Sequence, residues 1–428
     1  MPRIILSVLA ASLLIFAAAN VMDPYMVPVR SWLAGGIAVA SVLGLAFTAG
    51  SRWRWRAARW AILALWCAVP ATLAAAEAVF YWRKHMVLAE KGPAVRALGR
   101  HFIVGYTSIG EVEILAARGF IGGVFVTQHN AHGKTPAQLR AEIDRLQSAR
   151  KANDLPPLIV ATDQEGGYVS RLSPPLERRP LLATIANLPA GEREAAAHAY
   201  GLAQGHELAA AGITVNFAPV LDLRPSLGPS LLDRNSQIWR RAISADAKEV
   251  AEVGLGYVHG LQEAGVTPTL KHFPGLGRTA NDTHHFRTGI GATREELEAT
   301  DWAPFREVLA GSRPMLMIGH VTLTAIDSGH PASHSRALID GIVRRQWGFQ
   351  GVIVTDDVLM SPIYQYGLCE ALTEGFNAGI DIALVAYDMQ QFYRVMRCAL
   401  NAHKSGLLDA ARLAESDRRL SALTPSPQ

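Results

Sequence analysis

Cysteine is scarce in this chain, with three in 428 residues, at positions 67, 369 and 398. An odd number at wide spacing supplies neither a disulfide framework nor a metal-ligand pattern. Buried free thiols at Cys369 and Cys398 are expected in preference to a bond between them. Charge is missing from long stretches near the start. Residues 4–22, 32–49 and 60–82 together hold one charged side chain, Glu77. A water-facing helix does not run that far without charge, whereas a bilayer core of roughly 30 Å needs about 20 apolar residues in a helix. No small-residue cleavage site follows a short apolar core, which argues against a removed signal peptide. A basic excess is missing from the rest. Residues 1–82 carry six arginines and two acids, and the remaining 346 residues balance at 35 basic and 35 acidic. The pI near 9.0 therefore reflects the first segment, and the basic stripe that a nucleic-acid partner requires is absent.

What is present begins with tryptophan. Six of the nine lie in the first 82 residues, mostly flanking the apolar runs, where their amphipathic rings favour a membrane interface. Residues 51–60 include Arg52, Arg54, Arg56 and Arg59, whereas the loop between the first two runs has Arg30 and Asp23. Short basic loops stay cytoplasmic. The chain is thus expected to contact membrane lipid through three transmembrane helices (4–22, 32–49 and 60–82), with a cytoplasmic N-terminus. Arg83 and Lys84 oppose this orientation but are outnumbered. Residues 83–98 are expected as a linker, 99–420 as an extracytoplasmic domain and 421–428 as a tail.

From about residue 100, short β-rich runs alternate with helical segments. The runs are 101–106, 122–127, 157–162, 213–220, 267–272, 314–320, 351–356 and 380–387; helical stretches include 136–152, 190–211, 245–264, 294–310 and 368–378. Eight such alternations in roughly 330 residues suit an α/β fold of the (β/α)8 TIM-barrel type. Polar residues crowd the C-terminal ends of the runs: Asp163-Gln164-Glu165, Lys271-His272, His320 and Asp356-Asp357. Helix capping by aspartate explains one or two of these, but not Lys271-His272. In a barrel that face carries the chemistry.

Lys271-His272-Phe273-Pro274-Gly275-Leu276-Gly277, followed by Asp282-Thr283-His284, resembles the signature of glycoside hydrolase family 3 β-N-acetylhexosaminidases. There a Lys-His-Phe-Pro-Gly-His-Gly run precedes an Asp-Ser-His triplet at this spacing. Val354-Thr355-Asp356-Asp357-Val358-Leu359-Met360 resembles the segment around that family's nucleophilic aspartate. Asp163-Gln164-Glu165-Gly166-Gly167 and Asn216-Phe217-Ala218-Pro219-Val220-Leu221-Asp222 are similar to two more of its motifs. The resemblance spans about residues 95–400 in the family's order. It implies retaining hydrolysis of terminal β-linked N-acetylglucosamine from cell-wall or chitin-type saccharides.

The residues support this chemistry directly. Retaining hydrolysis needs a carboxylate beneath the anomeric carbon and an acid/base beside the leaving oxygen. The resemblance assigns Asp356 as nucleophile and His284 as acid/base. Imidazole donates and accepts protons near neutral pH, and Asp282, two residues away, suits the carboxylate that fixes its tautomer. Asp357 is expected to hold a loop backbone. Asp163, Arg234, Lys271 and His272 read as sugar-binding groups, and His320 either lines the site or is a hydrogen-bonded core histidine. No metal or organic cofactor is called for, and the oligomeric state is not legible.

The chain also departs from the family. Leu276 replaces a histidine beside the proposed site and is expected to affect loop closure or the leaving-group subsite. Tyr168 stands where arginine is common, and Pro362, Tyr364 and Tyr366 replace small residues. A phosphorylase, with phosphate in place of water, and a non-catalytic, membrane-tethered glycan-binding protein remain open alternatives.

Overall fold

The computed structural model describes residues 2–51, 55–226, 228, 233–279 and 281–423. Arg52 and Arg54 of the basic loop, the neighbouring Trp53, and residues 424–428 of the expected 421–428 tail lie outside the described residues, whereas 421–423 belong to the helix Ala410–Leu423. The chain forms two compact units, Met1–Glu90 and Lys91–Gln428.

The first unit contains α1 (Pro2–Ala19), α2 (Arg30–Gly50) and α3 (Arg56–Ala89), each long and apolar enough to cross a membrane. Their seam holds Ala11, Ala18, Ile37, Ile62, Trp66 and Val69. The Trp66 indole donates to Ser7 Oγ at 2.9 Å and packs on Gly44, where a Cβ would lie 2.3 Å from the ring. Leu6, Leu9, Leu13, Phe16, Val42, Leu43 and Trp60 point outward and are exposed. A water-soluble bundle would carry polar groups there. Sequence reading ends the third span at residue 82, but α3 runs on to Ala89. Arg83, Lys84 and Met86 end the apolar run yet are good helix formers. The start of the expected 83–98 linker is therefore helix, and a short helix α4 (Pro93–Gly99) follows.

The second unit is a closed barrel of eight parallel strands: β1 (Phe102–Gly105), β2 (Gly123–Phe125), β3 (Ile159–Thr162), β4 (Val215–Asn216), β5 (Thr267–Phe273), β6 (Met315–Ile318), β7 (Ile353–Asp357) and β8 (Ile382–Val385). Each strand pairs with its neighbours in sequence, and β8 closes on β1 through Phe102↔Ala383 and Val104↔Val385. This is the expected (β/α)8 architecture. Side chains alternate across each strand, so Ile103, Phe125, Ala161, Phe217, Met317, Val354 and Leu384 fill the interior. The rings of Phe125 and Phe217 stack there at 5.5 Å.

The outer helices include α5 (Ile109–Arg118), α6 (Pro136–Lys151), α7 (Ala190–Ala210), α8 (Ala247–Glu263), α9 (Ala303–Gly311), the π-helix α10 (Ala337–Gln346), α11 (Ser361–Ala378), α12 (Phe392–Lys404) and α13 (Ala410–Leu423). Thr135 and Gln138 start α6 with a capping box, and Asp246 caps α8, which satisfies otherwise unpaired amides. From α13, Leu420 joins the interior cluster.

Two features bear on function. The register of β5 shifts between Leu270 and Phe273, and that of β7 between Val354 and Asp357. Such irregularities re-aim side chains, and they fall on the two strand ends that carry Lys271-His272 and Asp356. The second feature corrects the expectation of free thiols: Cys369 of α11 and Cys398 of α12 form a disulfide, with Cα atoms 5.0 Å apart. The two helices pack side by side across β8 with both cysteines on the shared seam, a proximity that spacing along the chain does not reveal.

Candidate active site

Four groups meet at the C-terminal mouth of the barrel. At the base, Lys271 Nζ lies 2.5 Å from Asp163 Oδ1 and 2.7 Å from Glu165 Oε1. Arg241 grips Glu165 with two hydrogen bonds of 2.9 and 2.6 Å. Burial opposes the Glu165 charge, but the two cations outweigh it and hold its carboxyl well below the usual range. The network carries two charges of each sign. Asp163 is its most exposed member, at 20%, and forms its accessible edge.

Beside this network, His272 donates from Nδ1 to Asp222 Oδ2 at 2.6 Å, and Asp222 Oδ1 accepts from the Leu276 amide at 2.7 Å. Arg241 Nη2 lies 3.4 Å from His272 Nε2. Leu276 itself is buried and faces Gly319. Of the two expected effects, its buried position suits one on the loop that it begins.

Asp356 ends β7 with its side chain partly exposed. Enclosure in the mouth pushes its carboxyl up, but His272, His320 and His284, together with the Asp357 amide, outweigh this and hold it at about 2. The amide contact is 2.8 Å. Asp357 turns the other way and accepts from the amides of Leu359, Ala386 and Tyr387 at 2.9, 3.1 and 2.7 Å. It thereby joins the β7 and β8 loops, as read from the sequence. His320 is buried with both ring nitrogens engaged: Nε2 on Asp357 O at 3.0 Å and Nδ1 on Ser333 Oγ at 2.8 Å. A carbonyl only accepts, so Nε2 carries the hydrogen and Nδ1 accepts from the serine. Burial lowers its pKa. His320 is therefore hydrogen-bonded within the core, and its ring also lies close enough to Asp356 to act on its charge.

The fourth group comes from the loops after β4 and β5. Asp282 is fully buried and accepts from His284 Nδ1 and the His284 amide, both at 2.9 Å. It also accepts from Ser236 Oγ (3.1 Å), the amides of Arg234 (3.2 Å) and Asn235 (2.9 Å), and Asn235 Nδ2 (2.8 Å). Burial opposes its charge, but these donors, His284 foremost, keep it well below the ordinary carboxylate range. The His284 carbonyl accepts from the Ser361 amide at 3.0 Å, which seats the loop beside the β7 end. With Nδ1 committed, Nε2 is the nitrogen left for chemistry.

Of the residues singled out from sequence, Asp163, Lys271, His272, Asp282, His284 and Asp356 thus come together at the mouth. Arg234 is placed differently: its backbone serves Asp282, and its side chain is exposed. The buried arginine of the site is Arg241. Sequence reasoning did not select Arg241, Glu165, Asp222, Asn235 or Ser236. Glu165 and Asp222 sat inside quoted motifs as acids following strands, a usable signal. Arg241 was one of several arginines in a stretch with no fixed spacing.

Comparisons with known proteins show the family. Residues 103–423 match the Glycosyl hydrolase family 3 N terminal domain. Beta-hexosaminidase A of Pseudoalteromonas piscicida is 31% identical over 344 residues, covering 74% of this chain and 56% of that protein. The beta-hexosaminidase of Alkalilimnicola ehrlichii is 32% identical over 281 residues, covering 65% and 77%. Among solved structures, a glycoside hydrolase family 3 beta-N-acetylglucosaminidase from Paenibacillus sp. FPU-7 superposes with a TM-score of 0.69 at 32% identity, covering 77% of this chain and 61% of that one. The beta-N-acetylhexosaminidase of Beutenbergia cavernae gives 0.69 at 27% identity, covering 78% and 98%. The chain therefore spans just over half of the Pseudoalteromonas protein and about three fifths of the Paenibacillus one.

Proposed function

Because this chain belongs to glycosyl hydrolase family 3, we propose that it is a retaining β-N-acetylglucosaminidase that removes terminal N-acetylglucosamine from cell-wall or chitin-type saccharides. The observation that carries this reading is the Asp282–His284 pair seated beside the end of the strand that bears Asp356.

In this mechanism an Asp356 carboxylate oxygen attacks the anomeric carbon. His284 Nε2 passes its proton to the glycosidic oxygen, the C–O bond breaks, and the saccharide leaves as an alcohol. Asp282 is ionised throughout and stabilises the imidazolium. His284 then takes a proton from water, the resulting hydroxide attacks the anomeric carbon, and Asp356 leaves as a carboxylate. The retained configuration follows from the two displacements. Asp163 and His272 bind the sugar hydroxyls, with Lys271 holding Asp163 in place.

The test is hydrolysis of a chromogenic β-N-acetylglucosaminide beside the matching β-glucoside, with the full chain in detergent and Asp356→Asn as control. Release from the N-acetyl substrate alone, abolished in the control, is expected. Equal release from both substrates, or activity surviving in Asp356→Asn, would overturn the assignment.

The first unit is proposed to anchor the enzyme in a membrane, with the N-terminus cytoplasmic and the barrel on the outer side. Three apolar helices with exposed leucines support lipid contact, and Arg56 and Arg59, with Arg52 and Arg54, support the orientation. The Cys369–Cys398 disulfide is additional support, since such bonds persist in oxidising compartments. Protease digestion of right-side-out and inverted vesicles tests this. The barrel should be cut only in the former, and the reverse pattern would refute the orientation.

A further inference from the structure

The barrel unit buries or half-buries most of its large aromatic side chains. Those most exposed among the described residues are Tyr168 (61%), Trp239 (39%), Phe286 (46%) and Tyr387 (54%). All four sit on loops at the catalytic mouth, after β3, β4, β5 and β8 respectively. None is on the outer helices, where Ile114 is an exposed large apolar residue; Leu407 lies between α12 and α13.

Each aromatic is tied to the site by its own backbone neighbourhood. Tyr168 sits on the turn between the short strands Gln164–Gly166 and Val169–Ser170, three residues after Glu165. Gly166 and Gly167 make that turn at φ of 96° and 59°, values that favour glycine. The Arg240 guanidinium lies 5.5 Å from the Tyr168 ring centroid, leaving the ring's other face open. Trp239 precedes Arg240 in the helical turn Ile238–Arg241. Buried Ile238 pins that turn, and Arg241 grips Glu165. The Phe286 amide donates to Asp282 O at 3.0 Å, and the Tyr387 amide to Asp357 Oδ2 at 2.7 Å. These rings are thus carried on backbone tied to Glu165, Asp282 and Asp357 around the mouth.

Exposing aromatic rings to water forgoes their large burial gain, and a surface that does so repeatedly around one cleft marks a binding site. A pyranose presents C–H groups on its faces and hydroxyls around its edge, so it stacks on an aromatic face while its hydroxyls stay hydrated. We propose that Tyr168 and Trp239, with Phe286 and Tyr387 on the loops after β5 and β8, form stacking platforms for the sugar rings of the leaving saccharide. The enzyme then favours oligosaccharides over short glycosides. This rests on the glycosidase reading and extends it to the side beyond the cleaved bond. Scatter over four loops around the cleft favours a chain entering the mouth over a flat protein partner.

The experiment uses the full chain in detergent and two substrates. N-acetyl-β-glucosaminyl fluoride has a leaving group too small to reach the rim; N,N′,N″-triacetylchitotriose reaches it. In Tyr168→Ala and Trp239→Ala, the ratio of kcat/KM for the trisaccharide to that for the fluoride is expected to fall roughly three- to tenfold, while Tyr168→Phe keeps the wild-type ratio. An unchanged ratio in both alanine variants would refute the platform, as would loss on both substrates in equal measure, which marks a structural role. No fluoride release by the wild type would instead sink the glycosidase reading itself, and this inference with it.

Discussion

Asp282 and Asp356 show how this site divides labour between two carboxylates. Asp282 is buried and saturated with donors, so it stays ionised and leaves the proton to His284. Removing the imidazole in His284→Ala should cost about 10²–10⁴-fold in kcat on substrates with poor leaving groups. The loss should be much smaller on a 2,4-dinitrophenyl glycoside, whose leaving group departs without a proton. A comparison of the two substrates in steady state checks this. Asp356 is held at about 2, below its ordinary 3.8. A carboxylate depressed on folding adds stability that is complete above about pH 4 and is lost as pH falls through about 2. Relative to Asp356→Asn, which cannot titrate, the wild type should therefore gain thermal stability between pH 2 and 4 and show no further gain from this group above it. Melting curves of both proteins across that range test the sign. At this scale the sequence was most legible where spacing was rigid. The Asp282–His284 pair lies two residues apart, and the Lys271-His272 dipeptide ends a strand, so local geometry fixed their relation. Arg241 and Asp222 act through contacts 76 and 50 residues distant in sequence, with Glu165 and His272. Those contacts exist only once the barrel closes.

At the scale of elements, the eight strand positions were readable because each is a short apolar run, four of them ended by charged or polar groups. Their irregularities were not: a register shift in β5 or β7 depends on the partner strand. The same holds for the disulfide, which needs α11 and α12 side by side, and for the continuation of α3 to Ala89, where loss of apolarity does not mean loss of helix. The loop after β4 depends on its elements too, because Arg241 links it to β3. Arg241→Met leaves the buried network with one excess negative charge, since Lys271 alone faces Asp163 and Glu165. The expected loss is about 3 kcal/mol of stability, and chemical denaturation measures it. An unaltered midpoint would show that the arginine is needed for chemistry only.

At the scale of the whole molecule, two units with opposite surface logic share one chain. The first exposes leucine and phenylalanine and keeps Ser7, Ser41 and Thr48 inside; the second hides its apolar side chains and exposes aromatics at a single mouth. The disulfide closes a loop with a sequence separation of 29, which by chain entropy is worth about 3–4 kcal/mol. Mild reduction should lower the barrel's melting temperature, and Cys369→Ser with Cys398→Ser should reproduce the decrease. A scanning-calorimetry transition unmoved by reductant would contradict that contribution. Composition anticipated the split, because uncharged runs and balanced charge occupy separate parts of the chain. It could not anticipate the bond, since two cysteines in a sequence carry no record of which helices will be neighbours.

One carboxylate, Asp282, receives donors from two separate loops, and this sets the unit of change for anyone wishing to alter the enzyme. The loop that carries His284 does not stand alone, because residues 234–236 hold Asp282 in place. The two segments form one structural part, written in two places along the chain.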